Sequence, residues 1–257
     1  MTLALLRHQL RYDLKVQLRD RQSRVFTFGL PIMMVVLFAS IFGNSWVRVD
    51  GTPVRQSTYY VANLAAFAVV DAAFMTLAIV LVSQREQGIL KRRRATPEPP
   101  WVLLLSRALT AAIIAVAMAA VLLAFGRFAY DASVPARMLP ALALAIVVGT
   151  VSMCTLGFAA STLVRRMESA QPVVMAATLP LFFASGVFIP WVMIPHWLRT
   201  VAVVAPVRHL AEAMLLPFTH PAGSALAVRD LGFVALWGLL GLVVAARRFR
   251  WAPYQQM

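Results

Sequence analysis

Few residues in this chain are placed to do chemistry, and the signatures of common enzymes are missing. Asp71 stands near the middle of an apolar stretch, where a carboxylate costs on the order of 2.5–3.5 kcal/mol to insert and must face protein, water or a transport path. A protonated Asp71 hydrogen-bonded between helices is the competing reading. His209 and Glu212 have the i, i+3 spacing of a metal pair, with His196 and His220 nearby in sequence. Without a tighter ligand cluster they read as polar residues of an interface, and no metal site is expected. The phosphate-cradling loop needs Gly-Lys, whereas Lys15 and Lys91, the two lysines, follow Leu14 and Leu90. No His-Glu-x-x-His helix or Gly-x-Ser-x-Gly elbow is found, and the single Cys154 has no partner for a disulfide or a cysteine cluster. The chain is therefore expected to bind no cofactor and to catalyse no reaction of these classes.

The elements that must position these residues belong to a membrane protein. Of 257 residues 61% are hydrophobic and 13% charged, with a mean hydropathy of +0.76, well beyond the roughly 45–50% apolar content of a soluble globule. The net charge of +14 is divided among short runs that flank apolar segments. That pattern fits anionic lipid headgroups and not nucleic acid.

Taken in order, residues 1–23 place Leu6, Leu10, Leu14 and Leu18 beside Arg7, Arg11, Lys15 and Arg19 at helical spacing, which predicts an amphipathic helix in the membrane interface. This N-terminus is too polar for a secretory signal, so the first apolar span is expected to be retained. Apolar runs predict six spans, at about 25–42, 59–82, 101–125, 138–164, 171–189 and 226–246. Arg107 is placed to snorkel to the surface, and Gly149, Ser152 and Gly157 permit close helix approach. Residues 190–225 are too apolar for a free loop and too broken by prolines to span, which predicts a re-entrant helical hairpin shielded by protein. Of the 24 Lys and Arg residues this topology leaves 7, Arg48, Arg55, Arg127, Arg137, Arg199, Arg208 and Arg229, on one side, so the richer side and both termini are cytoplasmic.

The segment 83–100 carries the densest charge, and its Gln84-Arg85-Glu86-Gln87-Gly88-Ile89-Leu90-Lys91-Arg92 with Ala95-Thr96-Pro97 resembles a motif of the ABC-2 type transporter permeases. Ser185-Gly186-Val187-Phe188-Ile189-Pro190, continuing through Pro195, Trp197, Leu198, Pro206 and Glu212, resembles a second. The likeness covers nearly the whole chain and is strongest to the bacterial drug-resistance and daunorubicin-exporter-like branch. It departs at Arg92-Arg93-Arg94, more basic than the family's usual run.

The resemblance implies a single all-α membrane domain over 1–257, in the bacterial plasma membrane, dimeric with a second copy or a paralogue. It implies a coupling loop at 83–100 in which Arg85, Glu86, Gly88, Leu90, Lys91 and Arg92 meet a cytoplasmic ATP-binding subunit that holds the ATP and magnesium. The hairpin would cap the route, with Phe182, Phe183, Gly186 and Phe188 as gate candidates beside Asp71. The implied function is export of an amphipathic or lipophilic compound, a drug-like molecule or a lipid. Export of a lipid-linked glycan remains open within the class, and a membrane enzyme or assembly protein outside it.

Overall fold

A computed structural model describes residues 2–19, 29–42, 45–49, 52–94, 100–132, 135–219, 226–249 and 251. The chain begins with α1 (Thr2–Arg19) and α2 (Leu30–Phe42), then β1 (Trp46–Val49) and β2 (Thr52–Arg55). One continuous rod follows, made of α3 (Gln56–Val70), a π-helical turn Asp71–Thr76 and α4 (Leu77–Glu86). Then come α5 (Ile89–Arg94), α6 (Pro100–Tyr130), α7 (Leu139–Leu163) and α8 (Met167–Ala184). The short α9 (His196–Ala202), α10 (Pro206–Thr219) and α11 (Val228–Arg248) complete it.

Among the described residues four segments are long and apolar enough to cross a membrane: Gln56–Glu86, Trp101–Tyr130, Ala136–Leu163 and Val228–Arg248. The first has 31 residues, about 46 Å at the helical rise against a hydrocarbon core of about 30 Å, so it must project beyond the bilayer. α9 and α10 meet at 89° across Val203–Ala205 and pass the same test only as a pair, which raises the number to five. Length and composition thus support four or five spans among the described residues, against the six expected. The 13-residue α2 is apolar but short, about 20 Å long, and residues 25–28 of the expected first span lie outside the described residues. α8 has 18 residues but carries Glu168 in its first turn and Pro172 and Pro180 within it. Residues 20–23, 95–99 and 220–225, over which other expected elements extend, also lie outside the described residues.

The loop expected to be polar after α2 forms an antiparallel hairpin pairing Trp46 with Arg55, Val47 with Val54, Arg48 with Pro53 and Val49 with Thr52. Among the described residues the chain is thus helical with one two-stranded ribbon.

α3 is the central helix. Of its 15 residues 13 are buried, which suits a helix that is apolar or small on every side, from Val61 and Leu64 to the run of alanines. Neighbours close on it through small residues. A Cβ on Gly126 of α6 would come 2.5 Å from the Val61 side chain, and one on Gly149 of α7 would come 2.4 Å from Leu210 of α10. α11 lies against α7 in the same way. Gly238 faces Ser152, whose Cα would be 2.9 Å from an added Cβ, Gly241 faces the backbone of Leu156 at the same distance, and Thr155 Oγ1 donates to the Gly238 carbonyl at 2.7 Å. This is the small-residue packing by which helices associate where apolar burial gives no drive between them.

α1 is held to α6 by charge. Asp13 is buried, accepts from Ser106 Oγ at 3.1 Å and pairs with Arg107 Nη1 at 3.2 Å. Arg107 therefore turns to α1 where snorkelling to the surface was expected. Of the leucine stripe, Leu14 packs on the core while Leu18 stays exposed.

The α7–α11 contact sets a test. Gly238→Leu should destabilise by about 1–3 kcal/mol through overpacking, read as a lowered unfolding temperature in detergent. Gly232→Leu on the same helix, with nothing within 4 Å of its added Cβ, should leave the temperature unchanged.

Candidate functional site

The geometry of a helix end explains the segment after α4. Gln87 and Gly88 close that helix with N–H bonds to the Ser83 and Arg85 carbonyls, each 3.0 Å, and Gly88 takes φ +69°, a left-handed conformation that favours glycine. The chain thereby turns into α5, and Arg92 donates a guanidinium hydrogen bond back to the Gln87 carbonyl at 3.0 Å.

Beside this turn stands the corner between α7 and α8, Val164-Arg165-Arg166. The last carbonyls of α7 and the first N–H groups of α8 have no partners within their own helices. Arg85, only 2% exposed, donates from Nη1 to the Ser161 carbonyl at 2.7 Å and from Nη2 to the Val164 carbonyl. The next residue, Glu86, accepts the Met167 N–H at the start of α8. A cation sits at a helix C-terminus and an anion at a helix N-terminus, each favoured by about 0.3–1 kcal/mol in exposed settings and up to about 2 when partly buried. Beneath them Val82, Val164 and Ala170 form a small apolar cluster. Two consecutive residues thus clamp the α4–α5 turn to the α7–α8 corner.

This corrects part of the sequence reading. Arg85 and Leu90, expected at a partner surface, are buried within this chain, Arg85 because its fork is engaged by carbonyls and Leu90 because it packs inward at 0% exposure. Lys91 and Arg92 are exposed together with Gln87, while Glu86 and Gly88 are half-buried. The adjoining corner adds exposed Arg165 and Arg166, which were read only as topology markers. The resulting patch is basic.

Asp71 opens the π-helical turn and is half-buried, with no hydrogen bond or ion pair to its carboxylate among the described residues. The turn packs tightly, since a Cβ on Gly157 would stand 3.0 Å from the Phe74 carbonyl oxygen. The aromatic candidates do come together. Phe188 lies 5.7 Å from Phe182, 5.3 Å from Phe183, 5.6 Å from Phe67 and 6.0 Å from Phe38 between ring centroids. Phe182 is buried and Phe183 is 41% exposed. Phe38 and Phe67, from α2 and α3, had no signal beyond their apolar character. Gly186, at φ +90°, gives the turn that returns Phe188 to this cluster, and its carbonyl accepts from Tyr59 Oη.

At this end of the molecule His209 and Glu212 acquire a third neighbour that spacing could not reveal. Asp230 of α11 brings the three ligand atoms within 4.8 Å of one another. Their bonds are internal, however: Arg208 pairs with Glu212, and the His209 ring lies between Asp230 Oδ1 at 2.7 Å and the Val203 carbonyl at 2.8 Å. His196 begins α9 and is exposed, and His220 lies outside the described residues. Elsewhere an apolar cavity of about 600 Å³ runs between α6, α7 and α11, with Cys154 and Thr155 on one wall and Phe249 and Trp251 on another.

Arg85→Met should lower stability by about 1–3 kcal/mol for each carbonyl left buried without a donor, measured by thermal unfolding. Glu86→Ala should cost about 0.5–2 kcal/mol as a lost cap, and Glu86→Gln, which keeps an acceptor oxygen, less.

Two curated proteins share this sequence pattern at low identity. The chain is 24% identical over 199 residues to a protein of Escherichia coli (strain K12) named as a multidrug ABC transporter permease, YbhR, which covers 77% of this chain and 52% of that one. The chain spans about half the length of that relative. It is 22% identical over 202 residues to a Bacillus subtilis (strain 168) protein named as a transport permease, YvfS, covering 78% of this chain and 80% of the relative. The family model described as ABC-2 type transporter matches residues 5–218, which include the clamp, the aromatic cluster and the bent helix pair, and the chain belongs to that family.

Proposed function

We propose that this chain is the non-catalytic, membrane-spanning subunit of an ATP-driven exporter, working with a separate ATP-binding subunit. The observation that carries the reading is the clamp: Lys91 and Arg92 are exposed on a turn whose neighbours Arg85 and Glu86 grip both ends of the α7–α8 corner. A push on the exposed patch is passed to two membrane helices through charge-assisted hydrogen bonds. ATP binding and hydrolysis in the partner then bias two states of the permease by stabilising them unequally. Charge sets the choice of partner, which is expected to present an acidic surface.

On this reading the clamp end faces the cytoplasm, with both termini, at the bacterial plasma membrane, and the excess of Lys and Arg on that side supports it. A second copy or a paralogue completes the route. Support comes from the exposed apolar faces of α2, with Met33, Leu37 and Ile41, and of α8, with Val173, Leu179 and Phe183. Asp71, half-buried without a partner, lies along that route, and the Phe182–Phe183–Phe188 cluster closes it on the far side. The cargo is an amphipathic or lipophilic compound, drug-like or lipid, taken from the cytoplasm or the inner leaflet.

Two experiments test this reading. Lys91→Glu with Arg92→Glu should abolish co-purification of an ATP-binding subunit while lowering the unfolding temperature little, because both side chains are exposed and the Arg92 bond to the Gln87 carbonyl lies at the surface; undiminished association would remove the patch from the interface. Asp71→Asn should lower export roughly tenfold, the equivalent of about 1.4 kcal/mol in a barrier. Unchanged export would take Asp71 out of the route.

A further inference from the structure

A cavity of about 350 Å³ opens at the end opposite the clamp, between the β-hairpin, the start of α3, the loop from Ser185 to Trp191, and α9 to α11. Its volume is within the range of small-ligand sites. Three guanidiniums, of Arg48, Arg199 and Arg208, line it against two carboxylates, of Glu212 and Asp230. Both carboxylates are already met, Glu212 by Arg208 and Asp230 by His209. The Trp191 ring fixes two of the arginines, with the Arg208 guanidinium 3.2 Å and the Arg199 guanidinium 5.5 Å from its centroid. Arg48 enters from β1, exposed, with no ion pair among the described residues. The remaining walls include Val47, Val49, Leu215 and Leu216.

A surplus of positive charge disfavours a metal ion here and favours an anion, and guanidinium forks match the oxygens of phosphate and carboxylate groups. The apolar walls require that the anion carry a hydrocarbon part. We infer that this cavity binds the head of an amphipathic organic anion, its phosphate or carboxylate between Arg48 and the Trp191-stacked arginines and its apolar portion against Val47, Val49 and Leu215. A phospholipid of the surrounding leaflet and a molecule leaving through the protein offer the same chemistry. The inference deepens the exporter reading by naming a cargo class, but binding does not depend on ATP coupling.

The test uses the full chain in phosphatidylcholine nanodiscs, without any ATP-binding subunit, titrated with decyl phosphate, decanol and decyltrimethylammonium by calorimetry. Decyl phosphate should bind saturably and at least about tenfold tighter than the other two. Arg48→Gln should weaken it about tenfold without changing the unfolding temperature, and Arg48→Lys should recover part of the loss. Equal affinity for the three probes, or an Arg48→Gln variant that binds decyl phosphate as the parent does, overturns the inference. Phosphatidylglycerol nanodiscs identify the source. Loss of decyl phosphate binding there assigns the cavity to a lipid headgroup, and retained binding assigns it to a soluble amphipath. Failure of anion binding with ATPase association intact would sink this site and leave the exporter reading standing, and the reverse result would do the opposite.

Discussion

Backbone groups at a helix end have to find partners, and where they are buried from water the protein must supply them. The α7–α8 corner meets that constraint within three residues, between the end of one helix at Leu163 and the start of the next at Met167. Arg85 and Glu86 answer it from a third helix, cation to carbonyls and anion to N–H. Once the buried arginine is committed there, the neighbouring Lys91 and Arg92 remain as the charges a partner can reach. In the proposed reading, structure and coupling are divided between neighbouring residues of one turn.

The opposite end solves the same problem with different means. α9 and α10 break at 89°, and α11 ties the break down through Trp237 Nε1 to the Val204 carbonyl at 3.0 Å and Asp230 to His209. Phe188 is folded back onto four other phenylalanines by a glycine turn. Between the ends, Gly126 of α6 and Gly157 of α7 close on α3 and its π-helical turn, and Gly238 and Gly241 bring α11 against α7. A π-helical turn beside an unpartnered carboxylate is a local departure from regular helix of the kind often found at functional sites.

Much of this was legible from residue type and order. The central helix, α6, α7 and α11 fall close to the apolar runs that predicted them, and the small residues of α7 do sit at close contacts. Asp50-Gly51, flanked by alternating residues, is a strong hairpin signal that a loop assignment passed over. Other features depend on contacts between distant residues. Arg85 looks exposed in a basic run, and its burial is decided by carbonyls of Ser161 and Val164 on another helix. Asp230 joins His209 across 21 positions, and Asp13 meets Arg107 across a far longer separation. Two of the six expected spans do not meet the length and hydropathy of a crossing helix among the described residues, because apolar content does not fix helix length: α2 is short there, and α8 holds two prolines and polar residues in its first turns.

The claim on which the account turns is that the α4–α5 turn and the α7–α8 corner move as one body. Spin labels at Gln87→Cys with Gln171→Cys, and at Gln87→Cys with Trp101→Cys, in a Cys154→Ser background, would report it by pulsed electron resonance in membranes holding the ATP-binding subunit. The account predicts an unchanged Gln87–Gln171 distance distribution on adding ATP, while the Gln87–Trp101 distribution shifts. A Gln87–Gln171 distribution that shifts as much as the other would contradict it, because the clamp would then have let go.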